Sequence, residues 1–157
     1  MSTVLLDPHP RKKEDIFTTA AQRELSAVHQ LIEFDGSKRS DFYQKHIGDA
    51  DFIIGHADLD ASLLKQAKKL KAVFNVEGNF MPNIDYQFCF SRGIRVLTPS
   101  SVFSVPVAEI AIGMLLSLAR GIHSAHGDFV NGKELYGLEG NTESELISGT
   151  DLGFIGF

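Results

Sequence analysis

Short apolar runs alternate with amphipathic stretches along the first hundred residues, the pattern of βα units that build a parallel sheet. Five runs read as strands, at residues 3–6, 28–34, 52–55, 72–76 and 94–97. The last three are apolar almost throughout, without the alternation of a half-exposed strand. Helices are therefore expected on both faces of their sheet.

Between the runs lie helices with readable ends. Residues 12–25 place Ile16, Phe17, Ala20, Ala21 and Leu25 along one face and charges on the other, predicting one amphipathic helix. Asp60 is placed to cap a helix carrying Leu63, Leu64 and Ala67. Asn83 is placed to cap one carrying Ile84, Phe88 and Cys89, with Asp85 in its first turn where the helix dipole favours a carboxylate. Gly93 then supplies the left-handed residue that ends this helix before the fifth strand.

After Leu97 the pattern changes. Residues 98–101 form a turn, and Pro106 sits in the first turn of the longest helix, where its missing N–H costs nothing. Val107, Ile110, Ala111, Met114, Leu115 and Leu118 make one apolar stripe, while Ile112, Leu116 and Ala119 add a second flank. A helix apolar around so much of its circumference needs two covers. A second subunit and a central position within one chain both satisfy that need. Residues 121–140 read as a weaker helix followed by loop, and 141–148 as exposed chain leading to a terminal strand, Leu152-Gly153-Phe154-Ile155, that runs into Gly156.

Composition narrows the partners. With 15 basic and 20 acidic residues the net charge is -5, which disfavours nucleic acid or an anionic membrane surface. The basic clusters at 11–13 and 65–71 are interleaved with helix formers and read as solvated faces. Uninterrupted apolar runs are short, so no membrane span is expected. The N-terminus lacks the basic and apolar regions of a secretory signal, and Cys89 is the single cysteine. Both point to the cytoplasm, with Cys89 a small core residue. His123 and His126 lie three apart with no further ligand at metal spacing, so no metal site is expected.

In a parallel α/β sheet, ligands gather at the carboxyl ends of the strands. Two segments qualify: Gly55-His56-Ala57-Asp58 after the third strand, and Glu77-Gly78-Asn79-Phe80-Met81-Pro82 after the fourth. Backbone N–H groups in such a turn can hold a small carboxylate without an arginine. An ordinary βα turn with a strain-relieving glycine, a loop histidine at His56, and an Asn79 side chain that caps a local turn are the plainer readings of the same residues.

Several motifs in order carry a family resemblance. Residues 69–73 (Lys-Leu-Lys-Ala-Val), 77–85 (Glu-Gly-Asn-Phe-Met-Pro-Asn-Ile-Asp) and 91–97 (Ser-Arg-Gly-Ile-Arg-Val-Leu) resemble the N-terminal part of the D-isomer-specific 2-hydroxyacid dehydrogenases, phosphoglycerate dehydrogenases among them. Val107-Ala108-Glu109, with the apolar helix running to Leu118-Ala119-Arg120, is similar to that family's V-A-E helix. Residues 149–157 resemble its approach to the dinucleotide turn.

The resemblance implies an α/β architecture: a flavodoxin-like, parallel-sheet substrate domain over residues 1–98, then residues 99–157 as the start of an incomplete Rossmann domain, with a long helix and a first strand. It implies hydride exchange between NAD or NADP and a small 2-hydroxy or 2-oxo acid, and a homodimer through the 104–120 helix. Gly78, Asn79, Phe80 and His56 match substrate-binding positions. Asn79, Val105, Pro106 and Gly156 match positions near the cofactor, Gly156 being the first glycine of the fingerprint.

The chain departs from the family at Phe80, where a glycine is usual, and at Pro106, where a hydrogen-bonding residue is common. The family's catalytic arginine, acid and histidine have no counterpart here, so no catalytic residue is assigned and the chain by itself is expected to be inactive. A carboxylate-binding or interaction domain without catalysis, and one half of a split dehydrogenase, are the alternatives.

Overall fold

Leu5, Ile53, Val73 and Val96 stand side by side across four strands, with Ile32 beside Leu5, and this row is one wall of the core. The computed structural model describes residues 1–78 and 80–155. All strands are parallel, in the order β2-β1-β3-β4-β5: β1 (Ser2–Asp7), β2 (His29–Glu33), β3 (Phe52–Gly55), β4 (Ala72–Asn75) and β5 (Arg95–Leu97). Each of the five expected runs is a strand, within a residue or so at its ends.

This order determines which face each helix covers. Parallel crossovers are right-handed, so the step from β1 leftward to β2 and the rightward steps to β3, β4 and β5 carry their helices to opposite faces. α3 (Arg39–His46), α4 (Ala61–Leu64) and α5 (Tyr86–Ser91) serve the rightward steps. Their Phe42, Tyr43, Leu64 and Cys89 join Leu5, Ile53 and Val73 in the buried cluster. α1 (Lys13–Ile16) and α2 (Thr19–Val28) serve the single leftward step, and neither contains a buried residue.

The second face is thus only partly covered. Leu6, Ile54, Phe74 and Leu97 form its row, and Leu6 is sealed while Phe74 and Leu97 remain 40% and 43% exposed. An open apolar cavity of about 650 Å³ lies on this face, lined by Phe17, Leu25, Phe52, Phe74, Val102 and Phe103 among others.

Two local expectations are corrected. Residues 12–25 form two helices rather than one, because Thr18 leaves helical geometry and its hydroxyl accepts from Ala21 N–H to cap α2. The helix after the fourth strand is capped by Asp85, which accepts from Phe88 N–H at 2.9 Å. Asn83 is used elsewhere, its amide donating to Ala57 O at 2.8 Å. Asp60 caps α4 through Leu63 N–H as expected, and Gly93 ends α5 at φ +70°.

The chain divides into two compact units, Met1–Phe103 and Ser104–Phe157. The second unit holds α6 (Ser104–Ala119) and α7 (Ile122–Val130), followed by irregular chain. None of the α6 residues is buried. By length and composition Ser100–Ala119 is long and apolar enough to cross a membrane, with mean hydropathy 2.0. Counting uninterrupted apolar runs misses this, because the serines and Glu109 break the run without lowering its average much.

Residues 152–155 form no strand and are exposed. A parallel strand needs a neighbour to receive its backbone hydrogen bonds, and the described residues of the second unit offer no sheet.

Candidate functional site

At the carboxyl edge of the sheet the end of β3 presses against the end of β1. A Cβ on Gly55 would lie 2.3 Å from Asp7 O, so only glycine permits this approach. His56 N–H then donates to Asp7 O at 3.3 Å, which fixes where the histidine leaves the strand.

The His56 ring is half-buried, and its Nδ1 lies 3.0 Å from Asn75 Oδ1 at the end of β4. Asn75 is 2% exposed. The same oxygen faces Glu77 N–H at 3.5 Å, while Asn75 Nδ2 is buried with no partner among the described residues. His56 is therefore linked through one side chain to the residue that precedes Gly78.

The turn after β4 is held from several sides. Glu77 pairs with Arg11, Nε to Oε1 at 3.2 Å. Ser100 Oγ donates to Gly78 O, and the Phe103 ring lies where a Cβ on Gly78 would touch it at 3.5 Å. Tyr86 hydroxyl donates to Met81 O. Phe80 packs edge-on against Tyr86 with ring centres 5.4 Å apart, yet is 62% exposed. An aromatic that sequence reading places beside a carboxylate thus stands largely in solvent.

A second polar group occupies the ends of β1 and α3. Asp7 is fully buried, and Arg39 meets it with Nε–Oδ2 at 2.6 Å and Nη2–Oδ1 at 3.0 Å. Tyr43 hydroxyl donates to Asp7 Oδ2 at 3.1 Å. Burial, then the negative charge of Asp7, push the Tyr43 hydroxyl far above its ordinary range, so it stays a proton donor. The hydrogen bond to Asp7 raises the already strongly basic Arg39. A small pocket of about 230 Å³ beside this group is lined by Arg39, Tyr43, Asp58 and Asp60.

Among the expected site residues, the first unit brings His56 and Gly78 to one edge, with Phe80 at the rim. Asn79 lies outside the described residues, as does Gly156. Val105 and Pro106 belong to the second unit, exposed at the start of α6. Sequence reading missed Asn75, Asp7, Arg39 and Tyr43. Asp7 and Asn75 each terminate an apolar strand, and a polar residue at that position was the available signal.

No family model matches the chain. It is 30% identical over 151 residues to the hydroxypyruvate reductase of Thermotoga maritima, covering 94% of this chain and 46% of that protein. It is 28% identical over 138 residues to the D-3-phosphoglycerate dehydrogenase of Methanocaldococcus jannaschii, covering 84% of this chain and 25% of that one. Among solved structures, a phosphoglycerate oxidoreductase from Rhizobium etli superposes with a TM-score of 0.71 at 37% identity, covering 94% of this chain and 46% of that chain. The chain spans about half or less of the length of the relatives it matches.

Proposed function

We propose that this chain, whose sequence and structural neighbours are D-2-hydroxyacid dehydrogenases, is the substrate-binding portion of an NAD(P)-dependent oxidoreductase acting on the CH–OH group of a small D-2-hydroxy acid. In this reading residues 1–98 receive the acid, and residues 99–157 begin the nucleotide domain. The turn at Gly78 to Phe80 takes the carboxylate on backbone N–H groups, and His56 lines the same cleft. The observation that supports it is the Gly78 turn at the carboxyl edge, propped by Ser100, Phe103 and Arg11–Glu77 and tied to His56 through Asn75.

In this reading the nicotinamide site belongs to the complete enzyme. Residues 152–155 are irregular and exposed rather than a strand leading into a phosphate-binding turn. That conformation supports the reading that NAD or NADP is held by the whole enzyme and that the chain alone carries no dehydrogenase activity. A homodimer through residues 104–120 is part of the same reading, supported by an apolar α6 with no buried residue. The cytoplasm is its expected location.

Two titrations test the reading. Calorimetry with NADH at concentrations up to about a millimolar, a generous range for a cofactor site, is expected to show no heat of binding. Titration with D-lactate followed by amide NMR is expected to move the resonances of Glu77 to Phe80. Binding of NADH would refute the first part, and silent turn amides the second.

A further inference from the structure

The proposal that the Gly78 turn holds a 2-hydroxy acid by its carboxylate leaves open what the rest of the acid carries, and the His56–Asn75 pair bears on that question. Asn75 Oδ1 faces the Glu77 backbone N–H at 3.5 Å and His56 Nδ1 at 3.0 Å. The Glu77 backbone can only donate, so the atom facing it is the carbonyl oxygen and not the amide nitrogen. That oxygen in turn requires a proton on His56 Nδ1. A neutral imidazole with its proton on Nδ1 has a bare lone pair on Nε2. Among the described residues the hydrogen bond of the His56 ring is the one at Nδ1, which leaves Nε2 for a ligand.

The charges around this edge point the same way. The arginines that follow the ends of β1 and β2 are both committed, Arg11 to Glu77 and Arg39 to the buried Asp7. An anionic tail on the ligand would meet an acceptor nitrogen with no proton to offer, whereas an uncharged hydroxyl would find Nε2 ready to accept its proton in a hydrogen bond.

We infer that Asn75 is a positioning residue that holds His56 as the Nδ1–H tautomer, so that His56 Nε2 accepts a hydroxyl from the substrate and the site selects 2-hydroxy acids with an uncharged, hydroxyl-bearing third carbon over those carrying a phosphate there. This rests on the carboxylate reading of the Gly78 turn. Asn75 acts only through His56 and touches no substrate itself.

The test is nitrogen-15 NMR of the histidine rings of this chain at alkaline pH, where imidazole is neutral, without ligand and with D-lactate, D-glycerate and D-3-phosphoglycerate. These three acids differ only at the third carbon. The expected result is a pyrrole-like Nδ1 and a pyridine-like Nε2 at His56. Asn75→Asp should keep that tautomer, because it keeps the acceptor, and Asn75→Leu should lose it while circular dichroism confirms the fold.

D-glycerate should move Nε2 and bind tighter than D-lactate by roughly threefold to tenfold, the worth of one neutral hydrogen bond, and D-3-phosphoglycerate should leave Nε2 unmoved. A proton on Nε2 in the unsubstituted chain overturns the inference whatever the ligands do. Turn amides that respond alike to all three acids, with His56 silent, overturn it and leave the carboxylate reading standing. Silence at the turn amides with every acid overturns that reading and this inference together.

Discussion

Arg39 grips Asp7 with two hydrogen bonds, 2.6 Å from Nε to Oδ2 and 3.0 Å from Nη2 to Oδ1, and Asp7 has no exposed surface. The pair joins the end of the interior strand β1 to the first turn of α3. A carboxylate so placed is stable only while its donors remain.

Removing one partner should therefore cost more than removing both. Arg39→Met is expected to destabilise the first unit by about 3–5 kcal/mol, since it strands a buried charge. The double variant Asp7→Leu with Arg39→Met should recover a substantial part of the loss. Tyr43→Phe, which deletes one donor to the same carboxylate, should cost about 1 kcal/mol. Urea denaturation of the four proteins measures all of these, and a harmless Arg39→Met would show that the pair is not holding Asp7.

Gly55 should tolerate no side chain. Gly55→Ala places its Cβ against the Asp7 backbone carbonyl, which cannot swing aside as a flexible side chain could. A loss of about 1–3 kcal/mol is expected, together with altered NMR shifts at Asp7 and His56. An unchanged spectrum at those residues would contradict the tight approach of β1 to β3.

Acid should weaken the start of the sheet in a defined direction. Asp51 accepts from Lys71 at 2.8 Å and from Thr3 N–H at 2.9 Å, and the Lys71 bond first, then the Thr3 bond, hold its carboxyl below the ordinary aspartate value. A depressed folded-state value means that its stabilisation is present above about pH 4, the unfolded value, and is lost as pH falls below it. The stability gap between this chain and Asp51→Asn should accordingly be largest near neutral pH and close as the solution is acidified toward about pH 3. Urea midpoints of both proteins across that range are the measurement; a gap independent of pH would be the contrary result.

The two faces of the sheet should respond unequally to the loss of an apolar side chain. Leu97→Gln lies in the exposed row and should change stability by no more than about 0.5 kcal/mol, while reducing binding of the dye ANS to the open apolar face. Ile53→Ala, in the covered row, should cost about 2–5 kcal/mol. Equal penalties for both would mean that the second face is covered after all.

The sheet was legible because each strand is an apolar run that reads as such without its neighbours. α3 was not, since Arg39, Ser40, Asp41, Gln44, Lys45 and His46 dominate it and only Phe42 and Tyr43 turn inward. A helix anchored by two aromatics and one ion pair to a distant strand has no periodic signature. The cap of α5 shows a different limit. Asn83 and Asp85 are both good capping residues, and what separates them is that Ala57 O, across the sheet edge, claims the Asn83 amide.

The site divides in the same manner. His56 and Gly78 could be read locally as loop residues after strands, and the turn at Gly78 was sharpened by its likeness to a known family. Asn75 carried a local signal, a polar end to an apolar strand, but its importance lies in a partner that follows another strand. The long-range pair Asp7 and Arg39, 32 positions apart, was hidden for the same reason.

Phe103 is the last residue of the first unit, and its ring rests on Gly78. Ser100, three residues earlier, donates to the Gly78 carbonyl. The strap that carries the polypeptide out of the sheet is thus also the buttress of the turn proposed to receive the acid. Substitutions at Ser100 or Phe103, distant in sequence from residue 78, would therefore act on the same turn as a substitution at Gly78 itself.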